Sequence, residues 1–293
     1  MASTAQTDAS IRDITRIGLG CSRLGSIGAQ DSTPPEKLLQ TAAEVGITFY
    51  DTADIYAQGD SERHIGKFLR SSNGSFVICT KVGQYFPWYF KPAFLLKGTI
   101  KSLLRRAGGA SAVRTVRARI LPQDFSGDYV ERNFRESLAR LQTDSVDILL
   151  LHSPSADVLR RKDAVSTLQA IKRRGAAKRI GAACDDVEAL EAALDDDRID
   201  AVQVTLDVLD GVDAERLHKR RAAGLLVIAR EIFGGARPPD SVPLSPEFVR
   251  DRLIFATSRP DVDVVLIGTA NDSRLRRLIN DYRASKRPAS DVA

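Results

Sequence analysis

The sequence predicts a single (β/α)8 barrel over residues 1–293, with a long insertion after the third strand at residues 82–123. Three observations predict it. Eight short, continuously apolar segments alternate with segments of helical periodicity. Strands apolar on both faces belong to a parallel sheet covered by helices. Eight such units in 293 residues suit a closed barrel. The rival is an open doubly wound sheet, which usually announces its nucleotide site with GxGxxG after the first strand. Here that turn reads Gly18-Leu19-Gly20-Cys21-Ser22-Arg23 and lacks the third glycine.

In order, Ile17 to Cys21 is the first strand. A helix follows from Pro34 to Val45, with Thr33 as N-cap, Pro34 and Pro35 suited to its first turn, and Gly46 as its stop. Ile47 to Tyr50 is the second strand, and Ser61 to Leu69 is a helix opened by a capping pair, Ser61-Glu62. Ser72-Asn73-Gly74 is a turn before the third strand, Phe76 to Thr80. The alternation pauses and resumes with a helix over Asp128–Leu141, its apolar Val130, Phe134, Leu138 and Leu141 at helical spacing. The remaining strands are Val146–Leu151, Arg179–Ala183, Ala201–Val204, Leu225–Ala229 and Val262–Ile267. The helices between and after them are Asp163–Arg174, Asp186–Leu194, Asp213–Ala223, Pro246–Ser258 and Asp272–Ala284.

At 43% hydrophobic and 28% charged, the chain has the apolar content of an ordinary globular core. A net charge of +5 is a modest excess, and no nucleic-acid partner is expected from it. The three cysteines, Cys21, Cys79 and Cys184, are odd in number and have no CxxC spacing, which points to a reducing, cytoplasmic setting. Met1 to Ser10 has no apolar core of the kind a secretion signal needs. No apolar run approaches the roughly 20 residues of a membrane span. No Cys, His and carboxylate cluster has metal-ligand spacing, so no metal is expected.

In a barrel, residues at the C-terminal ends of the strands face the active site. Asp51 and Tyr56 follow the second strand, Lys81 ends the third and His152 ends the fourth. Tyrosine alone is a weak acid near neutrality, with an ordinary pKa of about 10. A lysine ammonium beside it favours the phenolate and lowers that value. Asp51 can pair with Lys81, and His152 can hydrogen-bond a substrate oxygen or the tyrosine. Such a set moves a proton to or from an oxygen whose charge changes, as in carbonyl reduction or alcohol oxidation. Each residue alone has a plain structural reading as cap, packing ring or buried histidine. The four together on three consecutive strands point to a site. His64 and His218 lie on helices and are read as surface or packing residues.

These residues carry a resemblance. Asp51-Thr52-Ala53-Asp54-Ile55-Tyr56 resembles the D-T-A-x-x-Y element of the aldo-keto reductases, and Ser61-Glu62 with Ile65-Gly66 resembles its continuation. Lys81 stands at that family's lysine position, and Ser137-Leu138, Leu141, Val146-Asp147 and His152 resemble its S-L-x-x-L…D-x-x-x-x-H segment. The likeness runs from Ile17 to about Ile279, interrupted at residues 82–123. It implies hydride transfer between nicotinamide C4 and the carbonyl of an aldehyde, ketone or sugar. Tyr56 would be the general acid/base, Lys81 and Asp51 its tuners and His152 the substrate orienter.

The resemblance also implies a nicotinamide cofactor, NADPH in preference to NADH, held at Gly20 and Cys21, Ala183 and Cys184, Gln203, Arg230, Gly268, Thr269, Asn271 and Arg274. Gln203 matches the glutamine that faces the carboxamide, and Arg274 the arginine that meets the 2′-phosphate. Three departures stand out. Ala183-Cys184 replaces a polar Ser-Asn pair, Arg230 replaces a stacking tyrosine, and Arg277 and Leu278 replace a glutamate and an asparagine. Two further readings stay open: a sugar dehydrogenase working in the oxidative direction, and a non-catalytic, cofactor-binding regulatory member.

The insertion opens on aromatic Tyr85-Phe86-Pro87-Trp88-Tyr89-Phe90. It continues with Lys91, Lys97, Lys101, Arg105, Arg106, Arg114, Arg117 and Arg119, without an acid from Val82 through Gln123. It reads as a solvated insertion, as an active-site lid, or, through residues 85–119, as a surface for an anionic membrane or protein. Specificity in this fold lies in loops, so the sequence names no substrate and no oligomeric state.

Overall fold

The apolar segments pair as their alternation requires. The computed structural model describes residues 16–25, 33–86, 121–235 and 244–286. Within these, eight strands lie in the order of the sequence: β1 Ile17–Gly20, β2 Phe49–Asp51, β3 Val77–Val82, β4 Val146–His152, β5 Ala177–Ala183, β6 Ala201–Val204, β7 Leu226–Ala229 and β8 Val264–Gly268. Every neighbouring pair is parallel, and β8 pairs with β1 to close the barrel. The result is the expected (β/α)8 TIM barrel.

Side chains alternate across each strand, and the sheet sorts them into two apolar layers. Phe49, Cys79, Ile148, Leu150, Ala183, Ala201, Leu226, Ile228, Val264 and Leu266 fill the interior. Their neighbours, among them Leu19, Tyr50, Leu149, Ile180, Val202 and Val265, join the larger layer between sheet and helices. Gly18 makes the interior possible at β1, because a Cβ there would stand 2.8 Å from both Phe49 and Leu266. The same parity turns Asp51, Lys81, His152, Gln203 and, just beyond β7, Arg230 toward the barrel axis at the C-terminal end.

The outer layer comprises α1 Pro35–Glu44, α2 Asp60–Ser71, α3 Gly127–Leu141, α4 Ala156–Arg161, α5 Asp163–Arg173, α6 Val187–Leu194, α7 Leu206–Asp210, α8 Ala214–Ala222, α9 Pro246–Ser258 and α10 Asp272–Lys286. The expected helices are all present. The additions are α4, capped by Ser155, and α7, both too short for their periodicity to be visible in sequence.

Two expected caps are different in the structure. Pro34 occupies the N-cap position of α1, and Thr33 serves α10 instead: its hydroxyl accepts from the Asp272 amide at 3.0 Å and donates to the Asp272 carboxylate at 2.8 Å. The cause is a bond from the Thr33 amide to the Ala270 carbonyl, which turns the residue toward β8. Ser61 and Glu62 do not open α2. Gly59 precedes that helix, and both side chains are fully buried.

The strand boundaries also move in a way that matters for the site. Asp51, Lys81 and His152 belong to the sheet itself rather than to the loops after it. The insertion leaves and returns at one place beside β3. Gln84 bridges Gln123 in antiparallel fashion, Tyr85 N–H donates to Pro122 O, and Gln123 Nε2 donates to the Ser153 carbonyl next to His152. Most of the insertion, residues 87–120, lies outside the described residues, and with it all three readings of it, as solvated insertion, active-site lid or surface for an anionic membrane or protein. No described helix is long and apolar enough to cross a membrane.

Candidate active site

β2 and β3 are neighbours, so Asp51 and Lys81 meet inside the barrel mouth. Lys81 Nζ donates to Asp51 Oδ1 at 2.7 Å and to the Thr52 carbonyl at 2.9 Å. Lys81 is 1% exposed and Asp51 4%. A buried charge needs a partner and further hydrogen bonds to be tolerated. Asp51 has both, because Gln203 Nε2 also donates to Oδ1 at 2.7 Å. Burial disfavours the Lys81 ammonium; Asp51, with Tyr56 and Cys79, outweighs it and holds the ammonium above its ordinary range.

Tyr56 is presented by a turn over Tyr56–Gly59 that runs against backbone preference. Ala57 (φ 50, ψ 30) and Gln58 (φ 59, ψ 43) are both left-handed, and Gly59 follows at φ 83. Left-handed geometry costs roughly 1–2 kcal/mol for each non-glycine residue. Such strain persists only where the surroundings impose it, and it concentrates at functional sites. The turn brings the Tyr56 ring to 5.1 Å from Lys81 Nζ and to 5.7 Å from the His152 ring, edge to face at 84°. The four residues expected to act together are thus brought together.

The electrostatics correct one expectation. Lys81 and Arg230 do favour the phenolate of Tyr56, but burial outweighs them and Asp51 opposes them, so the net effect raises the phenol above its ordinary value. Tyr56 therefore holds its proton at neutral pH. His152 moves the other way. Burial, then the charges of Lys81 and Arg230, push it well below the usual histidine range. Its Nδ1 is buried and has no hydrogen-bond partner among the described residues.

A depressed histidine has a consequence for stability. The folded state refuses a proton that the unfolded state accepts below its ordinary pKa of about 6.5. The contribution is full above that value and falls as pH drops through the interval between the unfolded and folded pKa. Thermal midpoints should therefore fall for the wild type below about pH 6.5 more steeply than for His152→Gln. Parallel curves from differential scanning calorimetry would remove this account.

The residues expected to hold a cofactor divide by side-chain direction. Gly20 and Gly268 are adjacent across β1 and β8 and put no side chain into the mouth. A Cβ on Gly268 would meet nothing within 4 Å, and one on Gly20 only the Ile267 carbonyl at 3.6 Å. They leave an open backbone floor. Ala183 faces inward, opposite His152 in register. Cys21 and Cys184 face the outer layer at 2% and 0% exposure, so only their backbones can meet a ligand. Burial pushes the Cys184 thiol up to about 12, so it is not a thiolate. Gln203, expected to face a carboxamide, spends its amide N–H on Asp51.

Arg230 reaches back across β6. It donates to the Cys184 carbonyl at 3.2 Å, pairs with Glu231 at 2.8 Å and pairs with Asp185, while its Nε is buried and has no partner among the described residues. At the head of α10, the Asn271 side chain accepts the Arg274 amide at 2.9 Å, and the Thr269 hydroxyl accepts the Asn271 amide at 3.1 Å.

The model of the aldo/keto reductase family matches residues 16–237. This chain belongs to the aldo/keto reductase family. It is similar to D-threo-aldose 1-dehydrogenase of Pseudomonas sp, with 28% identity over 201 residues, 65% of this chain and 56% of that one. It is similar to L-galactose dehydrogenase of Arabidopsis thaliana, with 26% identity over 250 residues, 80% of this chain and 68% of that one. The chain spans about one to two thirds of the length of the curated relatives it matches. A solved aldo/keto reductase of Klebsiella pneumoniae, in complex with NADP and acetate, shares the fold at a TM-score of 0.64 and 20% identity, over 95% of this chain and 88% of that one.

Within this aldo/keto reductase, sequence reasoning missed the groups that act behind the four inward residues. Asp185 was unremarked because it lies outside any motif, yet it anchors Arg230. The Thr52 carbonyl is a backbone ligand of Lys81 that no side-chain pattern reveals. Glu62 was read as a cap, but it is a fully buried carboxylate paired with Arg140, 78 residues away. The signal that could have exposed it is a glutamate and an arginine on helical faces otherwise committed to the core.

Proposed function

We propose that this chain is an NADPH-dependent oxidoreductase that reduces the carbonyl of an aldehyde, ketone or sugar, with Tyr56 as proton donor. The observation that carries the reading is the buried Lys81–Asp51 pair beside a tyrosine that keeps its proton.

The residues at the mouth fit a dinucleotide on three counts. Gly20 and Gly268 give a floor without side chains against which a flat ring can lie. His152 and Arg230 each keep a buried polar atom without a partner. Thr269, Asn271 and Arg274 gather at the start of the 15-residue α10, where helix polarity and a guanidinium favour a phosphate. Arg230 and the backbones at Ala183 and Cys184 would border the nicotinamide, and Gln203 would meet it through the side-chain oxygen it does not spend on Asp51. Bound there, NADPH supplies the hydride that the carbonyl carbon takes up.

The chain's own part is proton and field. Tyr56 gives its hydroxyl proton to the carbonyl oxygen as that oxygen gains charge. The phenolate left behind is stabilised by Lys81 and, from the far side, by Arg230. Neutral His152 donates an N–H to the same oxygen and orients the carbonyl. Asp51 and the Thr52 carbonyl hold Lys81, and Gln203 in turn holds Asp51.

NADPH and NADH fluorescence titrations, followed by loss of reduced-cofactor absorbance against a panel of aldehydes, ketones and aldoses, test the reading. We expect saturable NADPH binding and turnover of at least one carbonyl class. No binding at millimolar cofactor would sink it, and binding without turnover of any carbonyl would favour the non-catalytic, cofactor-binding member. A second reading, oxidation of a sugar with NADP, is favoured by the aldose and galactose dehydrogenases among the relatives. It would displace the first if aldoses are oxidised with higher kcat/KM than any carbonyl is reduced.

A further inference from the structure

The strained turn that carries Tyr56 must be held by something outside itself. Beneath Gly59 lies the side chain of Arg140 from α3. A Cβ on Gly59 would stand 2.7 Å from Arg140 Cδ and 2.9 Å from its Nε. The guanidinium is fixed in turn: Nε pairs with Glu62 Oε2 at 2.6 Å, and Nη2 donates to Ser137 Oγ at 2.9 Å. The other oxygen of Glu62 accepts from the Thr80 hydroxyl at 2.6 Å, and Thr80 directly precedes Lys81 on β3. One connected set therefore touches both the turn bearing Tyr56 and the strand bearing Lys81.

Independently, α3 and α2 approach to backbone contact. A Cβ on Gly66 would stand 2.6 Å from the Leu141 carbonyl and 2.7 Å from that of Arg140. The end of α3 is thus a fixed base for the guanidinium.

We propose that Arg140 is a positioning residue for the reaction: from α3 it sets the Tyr56 turn against β3 and so fixes Tyr56 relative to Lys81. This rests on the reading of Tyr56 as proton donor. Arg140 touches neither substrate nor the reacting oxygen. It is also the compensating charge for two buried acids. Glu62 is fully buried, and Asp54 beside it has an oxygen without a partner among the described residues. Burial first, then Glu62, raises the Asp54 carboxyl well above its ordinary range, with Arg140 the leading opposing charge.

Two variants test this. Arg140→Lys keeps the charge and loses the planar fork. Arg140→Met/Glu62→Gln removes both charges of the pair, so that Glu62 is not left as a stranded carboxylate. The charged and titratable groups facing Tyr56 are Lys81, Asp51, Arg230 and His152, and neither variant alters them. We expect kcat to fall about tenfold or more in the double variant and less in Arg140→Lys, with NADPH affinity within about twofold of wild type.

In a pH profile of kcat, the loss of activity on the alkaline side should move to higher pH in both variants, because a displaced Tyr56 loses part of the Lys81 field. The same shift should appear in a near-ultraviolet phenolate titration of Tyr56, taken as the difference from the matching Tyr56→Phe protein. That titration needs no turnover. If the double variant folds, shown by circular dichroism and a cooperative melt, and keeps wild-type kcat and titration, the proposal is overturned. If wild type itself turns over nothing while the titration shifts as expected, the positioning stands and the catalytic reading falls. If the double variant does not fold, Arg140→Lys decides by the same two readouts.

Discussion

Tyr56→Phe is expected to lower kcat by about 10²–10⁴-fold while leaving NADPH affinity within about twofold. The substitution deletes one hydroxyl and keeps the ring, so the edge-to-face contact with His152 survives. The large effect follows from the state of that hydroxyl. Burial keeps Tyr56 protonated in the folded protein, and Lys81 and Arg230 lower the cost of losing the proton during the reaction. Among the described residues, no other group at the mouth combines these two properties. His152 is held neutral, and Lys81 is committed to Asp51 and the Thr52 carbonyl. Steady-state kinetics with the best carbonyl substrate checks the prediction. A loss smaller than about tenfold means that the proton comes from elsewhere, and the assignment of Tyr56 fails.

Strand number was legible because eight continuously apolar segments alternate with helices, and Asp51, Lys81 and His152 were legible because they stand at strand ends. Apolar continuity marks a parallel strand, and alternation then decides which residue of each strand end faces the axis. Asp51, Lys81 and His152 all obey that parity. Two features were not legible. The fate of Thr33 depends on a bond to Ala270, far along the chain, and no local pattern reports it. The proton affinity of Tyr56 depends on the balance of burial against two cations, one of which, Arg230, joins only through the fold. A neighbouring lysine is visible in the sequence, but the desolvation that outweighs it is not. Gln203 shows the same limit: its position at the end of β6 was clear, but its use of an amide N–H on Asp51 was not.

Lys81→Met is expected to separate stability from catalysis. The substitution strands Asp51, a carboxylate at 4% exposure, with Gln203 as its remaining side-chain donor. Removing one partner of a buried ion pair costs about 3–5 kcal/mol, so the urea midpoint should fall substantially. Lys81→Met/Asp51→Asn removes the stranded charge as well and should recover most of that loss. Activity should not return with it. Without the ammonium, nothing on the β3 side stabilises the Tyr56 phenolate, and its pKa rises further above the ordinary range. Both variants should therefore lose kcat alike, by about 10²-fold or more.

The pH dependence adds a separate check. The folded pKa of Lys81 lies above its unfolded value of about 10.4, so its contribution is complete below that value and is lost only as pH rises beyond it. Above the range in which His152 titrates, from about pH 7.5 to 9, the stability gap between wild type and Lys81→Met should then be constant. A gap that closes within this window would mean that Lys81 discharges there, and that the charged pair is not what holds the site. A double variant that regains activity along with stability would show instead that Lys81 serves only to neutralise Asp51.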